Sequence, residues 1–222
     1  VLQGNILKNL ENQLIKLLEC DILPQKSYLA GGTAVYFYFK HRISIDLDFF
    51  TSMNFNPDIF IFKLKNCFKH VYVELMEKNS VILYISEEKI KLSLFYFPYI
   101  LLSKIHSYPV QNNIICPIAS LDDLEAMKAI AISQRGSIKD FIDLYFLLNK
   151  TGHCFDDIVK LVIKKYKINR EYEYQLKTAF VYFDDAEKEY NSIIMIKENN
   201  RNEKIKMEEW REIKSFFYGF TK

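Results

Sequence analysis

The chain has 222 residues, 50% of them apolar, 26% charged and 15% aromatic, and its 30 basic residues nearly balance its 28 acidic ones. That composition excludes disorder, which needs low hydrophobicity with high net charge, and no apolar run approaches the roughly 18 residues of a membrane-spanning helix. The opening Val1-Leu2-Gln3-Gly4-Asn5 lacks the basic-then-apolar pattern of a signal peptide, so a cytoplasmic protein with no membrane partner is expected. A net charge of +2 neither demands nor forbids a nucleic-acid partner. Cys20, Cys67, Cys116 and Cys154 are too widely spaced for a zinc-type CxxC pair and read as incidental thiols.

Ile6, Leu7, Leu10, Leu14, Leu17 and Leu18 recur at helical spacing, so the chain opens with an amphipathic helix over residues 5–19. Tyr28-Leu29-Ala30 then reads as a short strand running into Gly31-Gly32 and a buried helix over 34–39 capped by Thr33. Residues 45–50 alternate with period two and predict a strand. A helix over 57–69 follows, then strands over 71–76, 81–86 and 90–97. A connecting segment containing Pro109 and Pro117 ends at Ser120, a good N-cap with Asp122 and Asp123 placed to suit the helix dipole. Beyond it, residues 121–134, 138–149, 155–166, 171–183 and 204–217 read as helices, and 199–203 as a loop. The expected fold class is α+β: an α/β domain over 1–118 with a mixed sheet, then an all-helical domain over 119–222 closing a cleft over it.

Asp46 and Asp48, two apart on the predicted strand, leave the same face. Adjacent carboxylates repel one another; they are tolerated on a solvated strand face or where a hard divalent cation such as Mg2+ neutralises them. Just upstream, Gly31-Gly32-Thr33 joins a strand to a helix, so backbone N–H groups and a helix N-terminus face any anion nearby. Arg42 and Ser44 stand where they could hold phosphate oxygens. A phosphate cradle beside a metal-binding carboxylate pair is the combination that nucleotidyl transfer requires.

Leu29-Ala30-Gly31-Gly32-Thr33-Ala34, followed by His41-Arg42-Ile43-Ser44-Ile45-Asp46-Leu47-Asp48-Phe49-Phe50, resembles the first motif of the AbiEii/AbiGii nucleotidyltransferase-like toxins. These are the toxin arm of type IV toxin–antitoxin and abortive-infection systems. Leu121 to Ala131 is similar to that family's lysine-bearing helix, and Arg135 to Tyr145 to its following Arg/Lys-Asp-x-x-Asp motif, so the resemblance spans residues 28–148. It implies a polymerase-β-like nucleotidyltransferase that uses Mg2+ (or Mn2+) to transfer a nucleotide from an NTP to an acceptor hydroxyl, on RNA and specifically tRNA, with a cognate antitoxin as partner.

By the same resemblance Asp46 and Asp48 hold the metal, while Gly31, Gly32, Thr33, Arg42, Ser44 and Lys91 serve the nucleotide phosphates. Lys128 neutralises triphosphate charge and Asp140 completes the catalytic set. Read without the family, Lys128 is a lysine snorkelling from an apolar helix face, and Asp140 and Asp143, three apart on one helix face, are helix N-terminal charge, with Asp143 tying the two helices together. Polymerase-β-like enzymes commonly carry a third carboxylate on a later strand, where this chain has Ser93. The alternative reading is therefore a catalytically degenerate nucleotide- or RNA-binding protein. Residues 160–177 hold six basic residues interleaved with Tyr166, Tyr172 and Tyr174, a pattern shared by RNA-binding surfaces and solvated helix faces.

Overall fold

The computed structural model describes residues 2–111, 113–197 and 201–222, and the chain divides into two compact units. The first is Val1–Phe37, Ser44–Tyr99 and Ile105–Ala119; the second is Tyr38–Ile43, Ile100–Lys104 and Ser120–Lys222.

The first unit is built on a seven-stranded mixed sheet. Its strands are β1 (Tyr28–Ala30), β2 (Leu47–Thr51), β3 (Val71–Glu77), β4 (Ser80–Ile85), β5 (Ile90–Tyr96), β6 (His106–Gln111) and β7 (Ile114–Ile118). They lie in the order β3-β4-β5-β2-β1-β7-β6, with β2–β5 and β1–β7 parallel and the other pairs antiparallel. The period-two pattern becomes one fully buried face: Leu29, Phe49, Leu94 and Val81 form a row across four strands, each 0% exposed. The alternate row, Ala30, Asp48, Ser93 and Ile82, lies on the other face. Helix α1 (Leu2–Glu19) packs over β6 and β7 and buries Leu10, Leu14 and Leu17. Helix α3 (Pro57–Cys67) begins at an N-cap, Asn56, whose side chain accepts from the Ile59 amide, and it packs beside β3. Between them, α2 (Gly31–Phe39) follows β1 directly.

Several expectations need correction. Thr33 is not the cap of α2 but stands inside its first turn, because the helix starts at Gly31. β2 starts at Leu47, so Asp46 immediately precedes the strand rather than lying within it. The segment around Pro109 and Pro117 is not a connector but the β6–β7 hairpin. Pro109 sits at a register shift on the edge strand β6, where its missing donor leaves no ladder bond unmade. Two thiols are not incidental: Cys20, just past α1, forms a disulfide with Cys67 at the end of α3.

The second unit packs α4 (Leu121–Arg135), α5 (Ile138–Thr151), α6 (Phe155–Tyr166), α7 (Tyr172–Ala179), α8 (Asp184–Lys188) and α9 (Met207–Phe220) around one apolar cluster. At its centre Phe141 meets Trp210, Phe183 and Phe217 with ring centroids 5.0–6.1 Å apart. The expected helix over 171–183 ends at Ala179, and α8 is a separate element. The unit is not wholly helical, because β8 (Ile194–Ile196) and β9 (Asn202–Lys204) form a small antiparallel pair. Part of the expected loop over 199–203 is thus strand; residues 199 and 200 lie outside the described residues. The chain at 41–43 adds to β8: the Ile43 amide donates to Ile194 O and the Ile196 amide to His41 O, both at 2.9 Å.

Candidate active site

In the first unit the geometry is set by Gly31. Its φ of +67° is a conformation that favours glycine, and a Cβ built there would lie 2.7 Å from Asp48 Oδ2. The Asp48 carboxylate therefore lies directly against the glycine turn, where any side chain would displace it. The register sets Asp48 between Ala30 of β1 and Ser93 of β5. Thr33 Oγ1 donates to the Asp46 carbonyl at 2.5 Å and lies 3.0 Å from Ser44 Oγ, so one threonine ties the first turn of α2 to the chain leading into β2. Asp46 and Asp48 are both half-buried, while Ser44 is buried. Lys91, half-buried, precedes by one residue the Leu92 that pairs with Leu47. Gly31, Gly32, Thr33, Ser44, Asp46, Asp48, Lys91 and Ser93 all belong to this unit.

Arg42, Lys128 and Asp140 belong to the second unit, and a residue given no catalytic part in the sequence reading, Asp143, connects them. Ser120 caps α4, accepting from the Asp123 amide, and Gly136 ends that helix with φ 57°, the left-handed C-terminal position that glycine fills best. The turn returns α5 along α4, so that Lys128 Nζ reaches Asp140 Oδ1 at 2.8 Å and Asp143 Oδ2 at 2.7 Å. Arg135 grips Asp140 through two nitrogens at 2.7 and 2.9 Å. Arg42 does the same to Asp143, with Nε and a terminal nitrogen each at 2.7 Å, and His41 Nε2 lies 2.7 Å from the same carboxylate. Both aspartates are 0% exposed and Lys128 is 5% exposed.

The electrostatics follow from burial opposed by pairing. Burial would raise the Asp143 pKa, but Arg42, Lys128 and the His41 hydrogen bond together hold it well below the ordinary carboxylate value. Burial likewise opposes ionisation of Asp140, and Lys128 with Arg135 outweighs it. Burial would lower the Lys128 pKa, yet its two carboxylates hold it above the usual lysine value. For His41 burial wins over the Asp143 contact and the pKa falls, so the ring is neutral, with Nδ1 buried and without a hydrogen-bond partner. Lys128 thus does not snorkel from an apolar face; it is enclosed by carboxylates. Of the basic residues over 160–177, Lys165 also turns inward, fully buried against Asp123 at 2.6 Å, while Tyr174 is 77% exposed.

A mixed sheet that carries a glycine turn against a half-buried carboxylate, followed by helices, is a fold this chain shares with two solved structures described as nucleotidyltransferases. MenT4, a nucleotidyltransferase toxin from Mycobacterium tuberculosis H37Rv, matches with a TM-score of 0.58 at 12% identity, covering 99% of this chain and 85% of that one. A crystal structure from H. pylori, assigned as a nucleotidyltransferase, matches with a TM-score of 0.51 at 17% identity, covering 81% and 96%. The model of the nucleotidyl transferase AbiEii toxin family, of type IV toxin–antitoxin systems, matches residues 14–222, and the chain belongs to that family. An uncharacterised protein of Aquifex aeolicus (strain VF5), aq_aa25, is 40% identical over 164 residues, 73% of this chain and 76% of the relative.

Proposed function

We propose that the chain transfers a nucleotide from an NTP to an acceptor hydroxyl on tRNA, with Mg2+ (or Mn2+) as cofactor, and that it acts in the cytoplasm as a toxin restrained by a cognate antitoxin. No described helix is long and apolar enough to cross a membrane. The observation that carries the reading is the approach of Asp48 to Gly31: the turn suited to phosphate and the carboxylate suited to a metal meet at one place. The donor set fits a hard divalent ion, since Asp46 and Asp48 offer oxygen ligands from half-buried positions. When bound, such an ion would offset charge on the triphosphate and the leaving pyrophosphate.

The chain's own groups would do the rest. The amides at the start of α2, with the Ser44 hydroxyl and the Lys91 cation, would hold phosphate oxygens. The sequence assigns Thr33 and Arg42 to the same role, but Thr33 is buried and donates to the Asp46 carbonyl, and Arg42 is buried and engaged by Asp143. Lys128 and Asp140 enter as catalytic residues on the strength of the motif they occupy. The test is transfer of label from each of the four NTPs to total tRNA in the presence of Mg2+. Transfer should be present in the native chain and absent in Asp46→Asn/Asp48→Asn.

The second reading, a degenerate nucleotide- or RNA-binding protein, is favoured by the register that seats Ser93 opposite Asp48. A serine hydroxyl there is a weak ligand and no general base at neutral pH. NTP binding without label transfer to any RNA would select it.

A further inference from the structure

The second unit contains four fully buried carboxylates among the described residues: Asp123, Glu125, Asp140 and Asp143. Three have a permanently charged cation in contact: Lys165 at Asp123, Lys128 and Arg135 at Asp140, and Arg42 and Lys128 at Asp143. Glu125 is the exception. Its side chain is 0% exposed, and among the described residues its ion-pair partner is the imidazole of His153, Nδ1 lying 2.7 Å from Oε2. A carboxylate taken out of water needs a compensating charge, and a histidine supplies one only while protonated.

We propose that Asp122, Glu125 and His153 form a binding site for a first-row divalent metal ion, with Zn2+ the best fit. One ligand atom from each of the three side chains lies within 4.8 Å of the other two. Asp122 and Glu125 are three apart in α4 and so share a face, while His153 comes from the link between α5 and α6. Each carboxylate is held from behind by a hydroxyl: Ser103 Oγ donates to Asp122 Oδ2 at 2.5 Å, and Thr151 Oγ1 to Glu125 Oε1 at 2.6 Å. This leaves one oxygen of Asp122 and the histidine-facing Oε2 of Glu125 as ligands, the outer-shell arrangement that orients carboxylates at metal centres.

One imidazole nitrogen with two carboxylate oxygens suits a borderline ion better than Mg2+, which prefers all-oxygen octahedral surroundings. Zn–N and Zn–O bonds of about 2.0–2.2 Å place neighbouring ligand atoms roughly 3.3 Å apart in a tetrahedron, so His153 and Glu125 need separate by only about half an ångström. Asp122 is half-buried and the His153 side chain 32% exposed, which leaves an entry path and a fourth position for water. The ion would replace the imidazole proton and pin the start of α4 to the α5–α6 link. This site is separate from the Asp46/Asp48 pair, and the proposal does not depend on that pair binding metal.

The test uses the full chain in a Cys154→Ser background, because that exposed thiol adjoins His153 and could bind zinc itself. Protein is equilibrated with Zn2+ in excess Mg2+, dialysed, and assayed for retained zinc and thermal midpoint. The background protein should retain one equivalent more than His153→Gln or Asp122→Asn, and Zn2+ should raise its midpoint and not theirs. Ser103→Ala should weaken Zn2+ roughly tenfold through loss of outer-shell support. Both ligand variants alter partly exposed side chains, and circular dichroism checks that they fold. Zinc retention equal in the background and both ligand variants, or no retained zinc in any of them, would overturn the proposal and leave a structural His–Glu pair.

Discussion

The two units place aspartates in opposite circumstances. Asp140 and Asp143 are sealed from water and held by three cations, Arg42, Lys128 and Arg135, with the His41 ring also against Asp143. Asp46 and Asp48 are half-buried on an α/β scaffold, with Asp48 held close to a glycine so that nothing bulkier intrudes. The first arrangement holds helices and the 41–43 segment in place. The second keeps two carboxylates half-buried beside a helix N-terminus. The same residue type, read only as Asp in a motif, is thus buried and fully ion-paired in one unit and half-buried beside a glycine turn in the other, and substitution should separate the two.

The largest effect should come from Asp143→Asn. Removing its charge leaves Arg42 buried without a counter-ion, and breaking a buried pair in this way costs about 3–5 kcal/mol. Trp210, the single tryptophan and 1% exposed in the second unit, reports that unit's urea unfolding directly. Asp46→Asn should leave the same transition within about 0.5 kcal/mol of the native chain while abolishing Mg2+-dependent NTP binding. Equal stabilities for Asp143→Asn and Asp46→Asn would erase the contrast.

The disulfide sharpens it from the other side. Cys20 and Cys67 are separated by 47 residues, and the loop they close contains Gly31, Thr33, Ser44, Asp46 and Asp48. Loss of the cross-link should destabilise the first unit by up to about 4 kcal/mol in the chain-entropy account. Far-UV circular dichroism of Cys20→Ser/Cys67→Ser should show an earlier unfolding step, while the Trp210 transition stays in place. A shifted Trp210 transition would show that the two units unfold together.

A smaller effect is expected at the glycine turn. Gly31→Ala must adopt a positive φ and push Asp48 Oδ2 away from a 2.7 Å clash, a strain of roughly 1–3 kcal/mol. Its distinguishing mark is functional: NTP binding should fall with Asp48 intact in sequence, because the carboxylate has moved. Native affinity in Gly31→Ala would detach the turn from the site.

Legibility in the sequence followed the range of the interactions involved. β4 and β5 announced themselves because alternation and burial are local, and the start of α4 because Ser120 acts within one turn. The β6–β7 hairpin was obscured by Pro109 and Pro117, whose cost vanishes at an edge strand and a bulge that only the assembled sheet defines. β8 and β9, three residues each, carry no periodicity, and β8 rests on pairing with a segment some 150 residues earlier as well as with β9. At the candidate site, the glycine turn and carboxylate pair were readable from spacing, whereas Ser93 in the place of a third carboxylate followed only from the family resemblance. For Asp143 a tie between α4 and α5 was readable, and Lys128 makes it, but its grip on His41 and Arg42 was not, because they are about 100 residues away. The Cys20–Cys67 pairing was illegible for the same reason.

The smallest effect concerns pH and isolates His41 within the buried network. Its folded pKa lies below the ordinary 6.5, because burial outweighs the attraction of Asp143 while Arg42 and Lys128 add repulsion. Below pH 6.5 the unfolded chain therefore binds a proton that the folded chain does not, and stability falls as pH drops from 6.5 toward the lower folded value. Asp143 contributes nothing in this window: its pKa is depressed below 3.8, so its stabilisation is full above that value and is lost only at lower pH. Lys128, with a raised pKa, keeps its contribution until pH rises above 10.5. Between pH 6.5 and 5 the Trp210-monitored stability of the native chain should thus decline by up to about 1.4 kcal/mol per pH unit on account of His41. His41→Gln keeps a donor for Asp143 and removes the titration, so its decline should be shallower by that amount. Parallel pH profiles for the two proteins would mean that His41 takes up its proton in the folded state, and that Asp143 retains enough unspent charge to hold three cations at once.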